Sequence, residues 1–190
     1  LLFTGPPGTG KTTLAIILAK NILGKNWQEY SIFLNASDER GINTVRQRIK
    51  NFARYADNRE KVPFKMIILD EADEMTNDAQ TALRRIMEET SRTSRFILIG
   101  NYISNIIQPI QSRCSIFHFI KLEQNYITTH LEKISSKEKI KNDNQAIKMI
   151  YDISNGDLRA AINLLQSSST SGKLDIKNIN KAYNVSHKKQ

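Results

Sequence analysis

Short apolar runs alternate with amphipathic stretches over roughly the first 120 residues, and beyond that only helical patterns remain. Leu1-Leu2-Phe3 opens the chain as an apolar run, and Tyr30-Ser31-Ile32-Phe33-Leu34-Asn35 follows as a second strand. Phe64-Lys65-Met66-Ile67-Ile68-Leu69 and Arg95-Phe96-Ile97-Leu98-Ile99-Gly100-Asn101 are continuous enough to suit strands of a parallel sheet covered on both faces. Residues 115–120 form a last strand. Between the strands lie helical patterns over residues 13–20, 42–55 and 77–89. The second puts Val45, Ile49, Phe52 and Ala53 on one face, and the third turns Ala79, Leu83, Ile86 and Met87 inward. Gly24 and Asn26 mark a loop, 35–38 a turn with a helix cap, and 57–60 a polar loop. A short helix or turn over 103–110 is stopped near Pro109. Strand–helix alternation predicts an α/β fold with a parallel, doubly wound sheet.

Near Lys121 the pattern changes. Helices are expected over 125–134, 145–154, 158–168 and 176–183, with no strand and a serine-rich loop at 167–172. This divides the chain into a sheet domain over 1–121 and a smaller helical domain over 122–187.

The first turn of the first domain carries chemistry. Gly5-Pro6-Pro7-Gly8-Thr9-Gly10-Lys11-Thr12 fits the phosphate-loop spacing G-x-x-x-x-G-K-[ST], between a strand and a helix. Glycines let the loop bring backbone N–H groups onto phosphate oxygens, and the helix N-terminus adds its positive end. Lys11 is placed to reach the β- and γ-phosphates, and the Thr12 hydroxyl to ligate Mg²⁺. The alternative is a glycine-rich turn that binds nothing, and the correct flanks weigh against it. Leu69-Asp70-Glu71 ends a hydrophobic strand where ligands of open α/β sheets collect. Asp70 is the expected Mg²⁺ partner, and Glu71 the group that polarises water toward the γ-phosphate. A solvated acidic turn is the alternative. Asn101 ends another strand; its amide would lie beside the attacking water if that strand sits between the other two.

The 190 residues are 39% hydrophobic and 25% charged, enough for a sizeable core. No apolar run approaches a membrane span, and no signal-peptide pattern opens the chain. The first residue is Leu1, inside a strand, as expected of a piece of a longer protein. Cys114 is the only cysteine, which excludes a disulfide framework within the chain and a four-cysteine zinc site. A net charge of +9 suits a polyanionic partner such as nucleic acid, or simply a lysine-rich solubilising surface.

In combination these motifs resemble the AAA+ clamp-loader ATPases. Gly5–Thr12, 69–73, Asn101, Ser112-Arg113-Cys114 and Gly156-Asp157-Leu158-Arg159 match that family's set in order, as does the stretch 35–42, Asn-Ala-Ser-Asp-Glu-Arg-Gly-Ile. The match is to the small-subunit type of replication factor C, archaeal and eukaryotic. The resemblance implies a P-loop NTPase sheet of order 5-1-4-3-2, a helical lid and a five-subunit ring. It further implies a C-terminal collar domain beyond Gln190, and a segment before Leu1 that cradles adenine. Its ligands are ATP and Mg²⁺. Its partners are the other ring subunits, a sliding clamp and primer–template DNA, with no membrane, in archaeal cytoplasm or a eukaryotic nucleus. By the same resemblance Gly5, Pro6, Pro7, Gly8, Thr9, Gly10, Lys11, Thr12 and Thr13 hold the nucleotide, and Thr12 and Asp70 hold the metal. Glu71 is the base, Asn101 is sensor 1, and Arg159 is sensor 2 on its own subunit's γ-phosphate. Arg113 is the arginine finger for the neighbour's nucleotide. DNA candidates are Arg46 and Lys50, one turn apart, and Arg84 and Arg85, with Gln80 sharing the Arg84 face. A non-catalytic scaffold subunit and a helicase are competing readings.

Overall fold

The computed structural model describes residues 1–37, 42–54, 64–170 and 172–187. Contacts divide the chain into two compact units, Leu1–Gly5 with Gly10–Phe119, and Pro6–Thr9 with Ile120–Gln190. Among the described residues no helix is long and apolar enough to cross a membrane.

The first unit is built on five parallel strands: β1 (Leu2–Thr4), β2 (Ser31–Asn35), β3 (Lys65–Asp70), β4 (Ser94–Gly100) and β5 (Ile116–His118). Their order, β2-β3-β4-β1-β5, is the 5-1-4-3-2 order expected from the sequence. The alternation of side chains along a strand sorts the apolar runs onto two faces. Leu2, Ile67, Leu69, Phe96 and Leu98 join one core, with Ile49 of α3 (Ile42–Arg54) and Leu83 and Ile86 of α4 (Asn77–Glu89). Phe3, Met66, Ile68, Ile97 and Ile99 join the other, with Ala15, Ala19 and Leu23 of α1 (Lys11–Leu23). A sheet covered on both faces has no polar side to show, which is why β3 reads as an unbroken apolar run.

Several local expectations are corrected. The Gly24–Asn26 loop is a 3-10 turn that runs into the short helix α2 (Trp27–Tyr30). Pro109 does not stop a helix over 103–110. A 3-10 turn at Ile103–Asn105 is followed by α5 (Gln108–Gln111), which Pro109 opens. A first-turn N–H has no partner within the helix, so proline loses nothing there. The last strand is three residues long, not six. The signature residues 38–41, the loop 57–60 and the end of the second helix at Tyr55 lie outside the described residues.

The second unit packs α6 (Gln124–Lys137), α7 (Asn144–Ser154), α8 (Leu158–Ser168) and α9 (Ile176–His187) around Ile127, Leu131, Ile147, Ile150, Leu165 and Ile179. Strands were not expected here, yet β6 (Lys141–Asn142) and β7 (Lys173–Leu174) form a parallel pair. Two residues per strand are too few for a period of two to register. Asp143 caps α7 and Asp157 caps α8, each accepting a first-turn N–H. The loop residue Gly8 belongs to this unit: Leu158 N–H donates to Gly8 O at 3.2 Å. A Cβ on Gly8 would collide with the Asp157 carboxylate, so only glycine fits.

Candidate nucleotide site

The site grows from the ends of β1, β3 and β4, which the sheet order makes neighbours. Phe119 N–H donates to Thr4 O at 2.7 Å, and a side chain on Gly5 would run into Phe119 O. The chain therefore leaves β1 through a position that admits only glycine. It enters α1 through Gly10, whose φ of +93° is left-handed. No side chain caps α1, and no acidic residue lies in its first turn. Its first N–H groups and the positive end of its dipole thus lack a side-chain acceptor, the arrangement that suits an anion.

Lys11, 7% exposed, donates from Nζ to Gly5 O at 2.7 Å and to Asn101 Oδ1 at 3.0 Å. β4 lies between β1 and β3, so Asn101 at its end is carried to the lysine. Thr12 Oγ1 donates to Asp70 Oδ2 at 2.7 Å, and Asp70 Oδ1 accepts the Glu71 N–H at 3.0 Å. Both Asp70 oxygens are thereby oriented. Glu71 holds a left-handed backbone, φ +54° and ψ +36°, which costs a non-glycine residue about 1 kcal/mol. That turn takes the chain off the line of β3, which ends at Asp70.

The sequence reading missed Asp73 as a site residue. It is 5% exposed, and its Oδ2 accepts from Asn101 N–H at 2.9 Å and Tyr102 N–H at 3.0 Å. It fixes the backbone from which Asn101 projects. The only signal was its place as the fourth residue of Asp70-Glu71-Ala72-Asp73.

Among the described residues no group of three or more His, Cys, Asp or Glu side chains could hold a metal by itself. Mg²⁺ does not require one. It takes one or two protein oxygens and completes its octahedron with phosphate oxygens and water. The Thr12 hydroxyl and the Asp70 carboxylate, in mutual contact beside the phosphate loop, are such a pair.

Among the other candidates, Arg113, Lys50 and Arg84 take partners outside this cluster. Arg113 follows α5 and donates from Nη1 to Pro109 O at 2.7 Å, while Nη2 meets Glu88 Oε1 at 2.7 Å. Arg159 is an exposed residue of the first turn of α8, in the second unit. Lys50 pairs with Glu89 at 3.6 Å, Arg84 lies 3.9 Å from Glu88, and Arg85 is exposed. Arg46 stands one turn before Lys50 in α3, and its side chain lies outside the described residues. Gln80 does not share an outer face with Arg84. It is fully buried, donating to Met75 O at 3.1 Å and Asn105 O at 2.7 Å and accepting from Ile107 N–H at 2.8 Å.

Residues 1–122 match the family described as ATPase family associated with various cellular activities (AAA), and residues 129–170 match the RCF1/5-like AAA+ ATPase lid domain. The chain is 49% identical over 192 residues to a replication factor C small subunit of Staphylothermus marinus, covering 100% of this chain and 57% of that protein. It is 53% identical over 174 residues to replication factor C small subunit 1 of Pyrobaculum arsenaticum, covering 92% and 53%. The chain thus spans little more than half the length of these relatives. Among solved structures it is similar to the Thermotoga maritima RuvB Holliday junction branch migration motor. That likeness has a TM-score of 0.70 and 20% identity, covers 97% of this chain and 60% of that one, and speaks for the fold alone.

Proposed function

We propose a function on the premise that this chain belongs to the ATPase family associated with various cellular activities: it is the nucleotide-binding part of a clamp-loader subunit, which binds and hydrolyses ATP to place a sliding clamp on primer–template DNA. The observation that supports this best is the joining of Lys11 to Asn101 and of Thr12 to Asp70 at the ends of three adjacent strands. The relatives, named as replication factor C small subunits, point to the clamp-loading role.

In this reading the loop Gly5–Thr13 wraps the phosphates, and its N–H groups from Gly8 onward, with the start of α1, donate to them. Pro6 and Pro7 line the loop without an N–H to give. Lys11 leaves Asn101 Oδ1 for the β- and γ-phosphate oxygens. Thr12 and Asp70 would hold Mg²⁺, which would supply charge neutralisation at the phosphates. Asn101 orients the attacking water, and Glu71 takes its proton. Arg159 acts as a sensor of the bound nucleotide. Arg113 serves the nucleotide of a neighbouring subunit, so that turnover depends on assembly. Arg46, Lys50, Arg84 and Arg85 contact the DNA backbone without regard to sequence.

Glu71→Gln in the full-length protein, assembled with its partner subunits, tests the catalytic role. ATP binding is expected to persist while hydrolysis falls ~10²- to 10⁴-fold, the worth of a positioned general base. Unchanged turnover would instead mark a subunit whose nucleotide is structural.

A further inference from the structure

The Arg113 guanidinium is held in place by its own chain. Nη2 meets Glu88 Oε1 at 2.7 Å, and Nη1 donates to Pro109 O at 2.7 Å. Glu88 stands in the last turn of α4, next to its final residue. Among the described residues it is the one acidic group within ion-pair reach of Arg113. A guanidinium cannot shed its charge, so that charge is either neutralised locally or presented to another anion. Carboxylate and phosphate oxygens compete for the same fork of N–H donors. A guanidinium paired to Glu88 is therefore partly withheld from phosphate.

The strength of the hold suits a reversible device. Both side chains are about two-fifths exposed, 41% for Arg113 and 44% for Glu88. Pairs of such exposure shift an equilibrium by no more than roughly fivefold. A buried pair would be a permanent strut, whereas this one can yield to a triphosphate. Glu88 also lies 3.9 Å from Arg84 one turn earlier on the same helix, so a second cation keeps the carboxylate oriented when Arg113 departs.

We propose that Glu88 is a positioning residue that holds Arg113 in a resting orientation, so that breaking this pair precedes delivery of Arg113 to a neighbouring nucleotide. The inference rests on the reading of Arg113 as a finger acting between subunits. Glu88 then sets the fraction of time for which the finger is free, and so restrains turnover without touching the nucleotide held by Lys11 and Thr12.

The test is steady-state ATP hydrolysis by the full-length protein assembled with its partner subunits, comparing the parent, Glu88→Gln, Glu88→Ala, Arg113→Ala and Glu88→Gln/Arg113→Ala. Glu88→Gln is expected to raise kcat about two- to fivefold, the range an exposed pair permits, with KM for ATP unchanged. Glu88→Ala should raise it at least as much, since glutamine can still accept a hydrogen bond from the guanidinium. In the Arg113→Ala background the Glu88 change should have no effect. A kcat that stays level or falls on Glu88→Gln, while Arg113→Ala is impaired, overturns the restraint and leaves the finger reading standing. A rise that persists without Arg113 also overturns it, because the gain would then run through Arg84 or the helix itself. Full activity of Arg113→Ala removes the finger reading and this inference together.

Discussion

Lys11 is a buried side chain whose Nζ donates to Gly5 O and Asn101 Oδ1. The same oxygens hold Nζ near the point where phosphate is expected. Lys11→Ala removes this donor from Gly5 O and Asn101 Oδ1, and nucleotide loses the contact altogether. A hydrogen bond to a charged group contributes ~1.5–3 kcal/mol, so affinity for ATP should fall about 10- to 100-fold, measured by titration calorimetry. An unchanged dissociation constant would remove Lys11 from the binding site. Lys11 and Thr12 were legible in the sequence because the phosphate loop is a local structure, with its spacing written in consecutive residues. Asp70 was legible because it ends the apolar run of β3. Asp73 was not. Its amide partners lie 28 and 29 residues further on, and they reach it only because β4 settles beside β3.

Helix α4 shows how a single element serves several demands. Thr76 caps it through the Ala79 N–H, and Leu83 and Ile86 enter the core. Its last turn carries Glu88 and Glu89 toward Arg113 and Lys50. Gln80 sits among the apolar positions and takes three backbone partners, Met75 O just before α4 and Asn105 O and Ile107 N–H in the segment after Asn101. Replacement by leucine keeps the volume and strands two carbonyls and one N–H. Buried polar groups left unsatisfied cost ~1–3 kcal/mol each. Gln80→Leu should therefore lower unfolding stability by about 3 kcal/mol or more, seen as a lower denaturant midpoint at unchanged slope. A loss below about 1 kcal/mol would mean that water or a shifted backbone replaces the bonds. No reading of hydrophobic period could have assigned Gln80, because a glutamine at a helical position reads as surface until the fold supplies its partners. The long strands and α4 itself were readable for the opposite reason: β3 and β4 carry continuous apolar runs and α4 keeps a helical period over thirteen residues. The pair β6–β7 and the three-residue β5 are too short to do so.

At the scale of the molecule the order of strands in space departs from their order in sequence. β1 has two neighbours, and both come late: Leu2 lies opposite Leu98 on one side and Ile116 on the other. Closing so long a stretch of chain must precede any gain from those pairings, and folds built on such contacts form slowly. On a ribosome, the strand that leads into the phosphate loop would wait, unpaired and apolar, while nearly a hundred further residues are added. Gly5 cannot reach its place against Phe119 before Phe119 exists. In a series of stalled chains of increasing length, binding of a fluorescent ATP analogue is expected only after the residues through Phe119 have cleared the exit tunnel. Binding by chains that end before β4 would contradict it. The topology that gathers the nucleotide site at the centre of the sheet thus postpones it in time, and protection of the exposed β1 segment during synthesis falls to whatever meets nascent chains.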